Sequence, residues 1–226
     1  RRGTRLGGRA PPPGRTAARA MAACAEDRVH GFGRAEMFTE RLAGTMKGRV
    51  ERMLFLVLGK ASEWPDDIKD LPADSPYHAL QKAVKGAKLK YETRIVLAEA
   101  TEADAEGDVL IFPGPLRFNV KAGGTGPVVE ALQRDVVAGA GPDVENCHVF
   151  VCSHTARDAR CGFCGPALVD AAGSVSKGQK VSVRKCSHVG GHAYAGNVLV
   201  FQGAGPEGTG DFYGYVTPEA VGDVIT

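Results

Sequence analysis

Seven side chains able to hold a metal or move a proton crowd into residues 152–192: Cys152, His154, Cys161, Cys164, Cys186, His188 and His192. Placement narrows them. Cys152 ends an apolar run that reads as a strand, and Cys161 stands in the loop before a predicted helix. His188 and His192 flank Val189, Gly190 and Gly191 in a turn between two predicted strands. The two glycines let the backbone bend sharply enough for both imidazoles to face one point. Two thiolates and two imidazoles suit a closed tetrahedral zinc site. They suit equally a 2Fe–2S cluster in which histidines replace two thiolates. The spacings match neither a zinc finger nor a Rieske protein, so spacing leaves the metal open.

A second chemistry competes for the same residues. "CGFC", residues 161–164, has the form of a thioredoxin-type dithiol whose first thiolate sits at a helix N-terminus. That reading leaves Cys152, His188 and His192 without a task. A third possibility is structural, with the metal serving only as a staple for an interaction module. Cys147 reads as a small buried hydrophobe, and His148 should alternate to the outer face of its strand.

The elements that must position these residues fall into two similar halves. "RAEMFTERLAGTMKG" is expected to be helical. After it, "RMLFLVLG" predicts a strand, and "SPYHALQKAVKGA" a helix capped by Ser75 with Pro76 in its first turn. "ETRIVLAE", "GDVLIFPG" and "LRFNVKA" predict three strands, and "GPVVEALQRDVVAG" a closing helix. The second half follows the same order. It comprises "CHVFVC", a short helix "GPALVDAAG", the strands "KVSVRKC", "NVLVFQG" and "FYGYV", and a helix "TPEAVGDVI" opened by Thr217 and Pro218. "GDVLIFPG" and "GNVLVFQG" are identical at five of eight positions. The fold expected is therefore α/β: two thioredoxin-like lobes, each a mixed sheet covered by helices, with the metal-type residues in the C-terminal lobe. The lobes should run over residues 31–140 and 145–226, after a disordered or targeting tail at 1–30.

Charge excludes one class of partner. The chain of 226 residues has a net charge of +2, but residues 1–24 carry six arginines and no acid. The remainder holds 22 basic against 26 acidic side chains, a balance of −4. A mildly acidic body argues against nucleic-acid binding. No apolar run approaches the roughly 20 residues that span a bilayer. The tail reads as an organelle transit peptide, against which its low serine content counts, or as an extension ahead of a start at Met21. Without a secretory segment, the cysteines point to a reducing compartment. That is the cytoplasm, or a mitochondrion or chloroplast if residues 1–24 are a transit peptide.

Three motifs carry a family resemblance: "HVFVCSHTARDARCGFCGPALV", "CSHVGGHAYAGNVLVF" and "YGYVTPE". They resemble the sucrase/ferredoxin-like family, more weakly in the first half through "LFLVLGKASEWP" and "GDVLIFP". Members of that family usually run further than the equivalent of Thr226. The resemblance implies a thioredoxin-like ferredoxin domain with a 2Fe–2S cluster held by two cysteines nine positions apart and an HxxxH pair. On this chain those are Cys152, Cys161, His188 and His192, leaving Cys164, Cys186 and His154 outside the ligand set. Two thiolates and two neutral imidazoles would give an oxidised site of zero net charge, becoming −1 on reduction. Such ligation lies at roughly −150 to +300 mV, against about −400 mV for plant-type clusters with four cysteines.

The function expected is electron transfer, between a redox-protein donor and acceptor, by a carrier rather than an enzyme. No catalytic residue is assigned, and no carboxylate pair is set up for glycoside hydrolysis. Arg157 and Arg160 in the loop between the cysteines are candidates for offsetting the reduced charge or docking an acidic partner. Tyr194 is a candidate neighbour of the ligand turn, as is Asn197.

Overall fold

A computed structural model describes residues 25–39, 42–43, 52–134, 147–202 and 210–225. The tail at 1–24 and the expected lobe junction at 140–145 lie outside these residues. In chain order the elements begin with helix α1 (Ala25–His30), strand β1 (Leu42–Ala43) and strand β2 (Arg52–Val57). Helix α2 (Pro76–Gly86) and strands β3 (Thr93–Ala98), β4 (Asp108–Phe112) and β5 (Leu116–Asn119) follow. Helices α3 (Val120–Gly123) and α4 (Gly126–Gln133) close the first half. The second half holds β6 (Cys147–Cys152), α5 (Ala159–Val175), β7 (Val181–Cys186), β8 (Val198–Phe201), β9 (Gly210–Gly214) and α6 (Val221–Ile225).

The two halves share one strand plan. β2 pairs parallel with β3 and antiparallel with β4, which pairs antiparallel with β5. In the same way β6 pairs parallel with β7 and antiparallel with β8, which pairs antiparallel with β9. The repeated segments thus become β4 and β8, in equivalent places. The separate sheets expected from the sequence are, however, one mixed nine-stranded sheet in the order β1-β9-β8-β6-β7-β3-β2-β4-β5. The join is the antiparallel bridge Ala98↔Cys186, where two otherwise free edges meet. Ser187 extends it: its N–H donates to Leu97 O at 2.9 Å, and its Oγ accepts from Leu97 N at 2.9 Å.

The sheet turns back on itself at this join. Phe55 of β2 and Phe150 of β6 have two strands between them, which in a flat sheet would be about 14 Å at 4.8 Å per strand. Their rings stack with centroids 3.5 Å apart and 9° from parallel. Phe112 and Phe201, from the repeated segments, stack beside them at 4.5 Å. One face of each half therefore packs against the other half, and helices cover only the outer faces. Period-two alternation sorts β2: Met53, Phe55 and Val57 enter the core between the halves, while Leu54 and Leu56 enter the core under α2 and α4. It sorts β6 likewise, with Phe150 and Cys152 facing inward and Val149 and Val151 facing α5 and α6. Covering both faces explains why these strands read as unbroken apolar runs.

Four local expectations are corrected. Residues 25–30, counted with the tail, form α1, which lies against α5 through Cys164 Sγ and the His30 carbonyl. The helix expected over "RAEMFTERLAGTMKG" is, among its described residues, a 3-10 turn at Ala35–Phe38 followed by β1. "VKA", after Asn119, leaves β5 for a short helix because Asn119 Oδ1 accepts from Lys121 N and Ala122 N. His148 has no solvent face to occupy: it shares the inward parity of Phe150 and is fully buried beside Phe112 and Arg184. Among the described residues, no helix is long and apolar enough to cross a membrane.

Candidate metal centre

Cys152 reaches the core between the halves because it ends β6 on the inward parity. Cys161 reaches the same place from α5. That helix starts six residues earlier than the sequence suggests, so Cys161 lies in its first turn and not in the preceding loop. "GPALVD" looks like a helix start because Pro favours the first turn. The true start is Asp158, whose Oδ1 accepts from Arg160 N at 2.9 Å, and Pro166 is carried inside. Two glycines permit the close approach that follows. A Cβ on Gly165 would stand 2.6 Å from Cys152 O, and one on Gly162 would stand 2.8 Å from Thr155 Cα. With hydrogen there instead, α5 lies directly on the backbone at 152–155.

The turn between His188 and His192 behaves as its glycines suggest. Gly190 and Gly191 take φ of 88° and 64°. A 3-10 turn at His192–Tyr194 follows, with Tyr194 N donating to Gly191 O at 2.9 Å and Ala195 N to His192 O at 3.1 Å. The buried Asn197 closes it by donating from Nδ2 to Gly191 O at 3.0 Å. The rings of His188 and His192 end 5.5 Å apart, His188 half-buried and His192 exposed.

Cys152, Cys161 and His188 offer ligand atoms that all lie within 4.8 Å of one another, a group able to hold a metal ion. His192 stands beside this group through His188. Two further observations suit a metal here. His188 Nδ1 is buried and has no hydrogen-bond partner, an arrangement that is costly unless something binds it. Hydrogen bonding from Cys161 and the neighbouring His188 outweigh burial and bring the Cys152 thiol down to about 5. The same pairing and burial push Cys161 well above the ordinary thiol range.

Cys164 takes another course. It faces the core under α1 and α6, and its Sγ donates to His30 O at 3.4 Å. Burial pushes its thiol up to about 11, against a smaller opposite pull from Arg34. The two thiols of the CGFC pair thus face different cores, Cys161 inward between the halves and Cys164 outward toward His30 O. Cys186 faces Cys152 across β6 and β7, and burial together with the Cys152 charge raises it strongly.

The candidate neighbours divide. Arg160 forms a two-pronged pair with Asp158, at 3.0 and 2.9 Å, and so is neutralised at the helix start. Arg157 is exposed and reaches Asp66 of the first half at 3.5 Å. Tyr194 packs edge-on against Tyr215 at 5.5 Å, and its carbonyl accepts from Tyr215 N. His154, set aside by the ligand pattern, uses both ring nitrogens within the protein. Nε2 donates to Pro65 O at 2.8 Å, and Nδ1 accepts from His188 N at 3.2 Å. Burial lowers its pKa, so the ring is held neutral. No sequence signal separates this positioning histidine from a ligand, since its partner at residue 65 is supplied by the fold. A cleft of about 410 Å³ opens between the halves at this point, lined by His188, His154, Tyr77, Arg94 and Arg157.

With this geometry in view, the comparisons are specific. A family model described as Sucrase/ferredoxin-like matches residues 42–226. The chain belongs to the sucrase/ferredoxin-like family. Among sucrase/ferredoxin-like relatives, Altered inheritance of mitochondria protein 32 of Debaryomyces hansenii is 44% identical over 79 residues, 34% of this chain and 29% of that protein. Its namesake in Clavispora lusitaniae is 43% identical over 79 residues, 34% of this chain and 28% of that protein. Actin patches distal protein 1 of Saccharomyces cerevisiae is 31% identical over 112 residues, 42% of this chain and 35% of that protein. The matches thus span between 28% and 35% of the length of these relatives. No solved structure matches the chain significantly.

Proposed function

We propose that this chain is an electron carrier whose Cys152, Cys161, His188 and His192 hold a 2Fe–2S cluster. The second of two thioredoxin-like lobes, residues 145–226, would carry all four ligands, and residues 31–140 would form the first. The observation that carries the reading is the convergence of Cys152, Cys161 and His188, whose ligand atoms lie within 4.8 Å of one another; the buried Nδ1 of His188, which has no hydrogen-bond partner, adds to it. The repeated strand plan, parallel pair then antiparallel pair, supports the lobe assignment.

When bound, such a cluster takes up and returns one electron, at a potential raised by its neutral imidazole ligands. The chain's own residues prepare for that. Of the paired thiols Cys152 is lowered and Cys161 raised, chiefly by the bond between them, and both would bind as thiolates. Cys186, Val189 and Ala195, all fully buried, exclude water from the inner side. His154 holds the ligand loop through the His188 amide. The exposed His192 edge is where a redox-protein donor or acceptor would approach. The five described cysteines are all free, which supports a reducing compartment. The cytoplasm suits this, as does the mitochondrion suggested by the relatives' printed name.

The test is the visible and EPR spectrum of anaerobically purified protein, before and after dithionite, with iron and zinc counted. A coloured protein with about two irons and a rhombic signal on reduction is the expected result. A colourless protein with stoichiometric zinc would overturn electron transfer and leave a zinc-stapled interaction module on the same ligands.

A further inference from the structure

The segment that precedes the family-matched residues 42–226 sends one cation to the ligand turn. Arg34 is 3% exposed. Its Nε donates to Gly31 O at 2.8 Å, and its Nη2 contacts Met37 Sδ at 3.2 Å. The far end of the guanidinium donates to two carbonyls of the turn begun by His192: Nη1 to Ala193 O at 3.4 Å, and Nη2 to Ala195 O. It also lies over the Tyr215 ring, 5.5 Å from the centroid. Among the described residues its only ion pair is a long one, 3.9 Å to Glu36, whose side chain is 41% exposed.

Carbonyl oxygens satisfy the N–H groups of a buried guanidinium but do not cancel its charge. Among the described residues only Glu36 forms an ion pair with it, and burying a charge so weakly countered is unfavourable unless negative charge appears nearby. We propose that Arg34 is a positioning residue that clamps the His192 turn, and that its buried charge favours the reduced state of the centre that turn helps to hold. The clamp stands on the geometry alone, while the charge effect rests on the electron-carrier reading. One electron arriving at the centre adds one negative charge, which the Arg34 cation stabilises.

Two variants of the full chain separate charge from clamp. Arg34→Gln removes the charge and most of the fork, whereas Arg34→Lys keeps the charge and loses the fork. In metal-free protein, hydrogen exchange at the amides of Tyr194 and Ala195 should quicken in both. In anaerobically loaded protein, Arg34→Gln should lower the equilibrium constant for reduction about tenfold, a midpoint shift of about −59 mV for one electron, and Arg34→Lys should stay near wild type. Glu36→Gln, at a partly exposed carboxylate, gives a second handle should Arg34→Gln fail to fold, and should shift the midpoint upward. Unchanged exchange at the turn in both arginine variants overturns the clamp. An unchanged midpoint in Arg34→Gln, or in Glu36→Gln where the former does not fold, overturns the charge effect. A wild-type protein that holds only zinc sinks the electron-carrier reading and the charge effect with it, while the exchange measurement still decides the clamp.

Discussion

The backbone N–H of His188 donates to Nδ1 of His154 at 3.2 Å, while Nε2 of the same ring donates to Pro65 O at 2.8 Å. The loop that carries His188 in the second half is thereby tied, through one imidazole, to the first half. His154→Phe keeps much of the ring volume and leaves both partners of these part-buried bonds without the ring nitrogen. Metal affinity should fall about 10–100-fold, as for other residues that orient a ligand, when measured by competition with a chelator. Wild-type retention would reduce His154 to packing.

Substitutions at the candidate ligands should sort sharply. Cys152→Ser, Cys161→Ser and His188→Ala should each abolish stoichiometric metal. Cys164→Ser should retain it, because Cys164 Sγ is bonded to His30 O in a different core. Metal counts on the four purified variants check this. Loss of metal in Cys164→Ser would return attention to the CGFC pair.

Gly165→Ala tests the approach of α5. The added methyl would stand 2.6 Å from Cys152 O, so the helix must move off the strand end and carry Cys161 with it. Metal should be lost or weakened while the far-ultraviolet circular dichroism stays near wild type. Gly173→Ala, where nothing lies within 4 Å, is the control and should lose neither.

A buried ion pair makes stability sensitive to acid. Arg184 of β7 holds Asp104 with Nε to Oδ2 at 2.8 Å and Nη2 to Oδ1 at 2.9 Å, and Arg117 adds a further contact at 2.9 Å. Burial alone would raise the Asp104 carboxyl, but Arg184 and Thr101 outweigh it and hold it well below the usual carboxylate range. A depressed folded-state pKa contributes stability that is full above the unfolded value of about 3.9 and is lost as pH falls below it. Denaturant midpoints should therefore drop below about pH 4, and less steeply in Asp104→Asn. At neutral pH, Asp104→Ala should cost about 3–5 kcal/mol, because it strands a buried Arg184.

The two halves should unfold together. Phe55 and Phe150 are fully buried and stacked at 3.5 Å between them, so Phe55→Ala should cost about 3–5 kcal/mol. Fluorescence of Trp64, in the first half, and absorbance of the metal centre, in the second, should shift to the same lower denaturant midpoint. Separate transitions would show that the halves fold independently.

What the sequence determined by itself is local. The capped start of α2 at Ser75, the paired segments at 107–114 and 196–203, and the left-handed bend at Gly190 and Gly191 all follow from near neighbours and their periodicity. The cluster of cysteines and histidines between 152 and 192 stood out for the same reason, since chemistry-bearing side chains are visible wherever they fold. Tertiary structure alone decided the rest. Pro166 lies inside α5 because Asp158 caps the helix ahead of it and Gly162 and Gly165 let it rest on residues 152–155. The halves share one sheet because β3 and β7 meet at Ala98 and Cys186, and His148 is buried because each half covers the other's inner face. Arg34 and His154 carry no signal of their roles, because the carbonyls they hold are distant in sequence, at residues 193 and 195 for one and 65 for the other. Hydrogen bonds between distant segments depend on how faces pack, and a linear pattern reports only which face each residue shares.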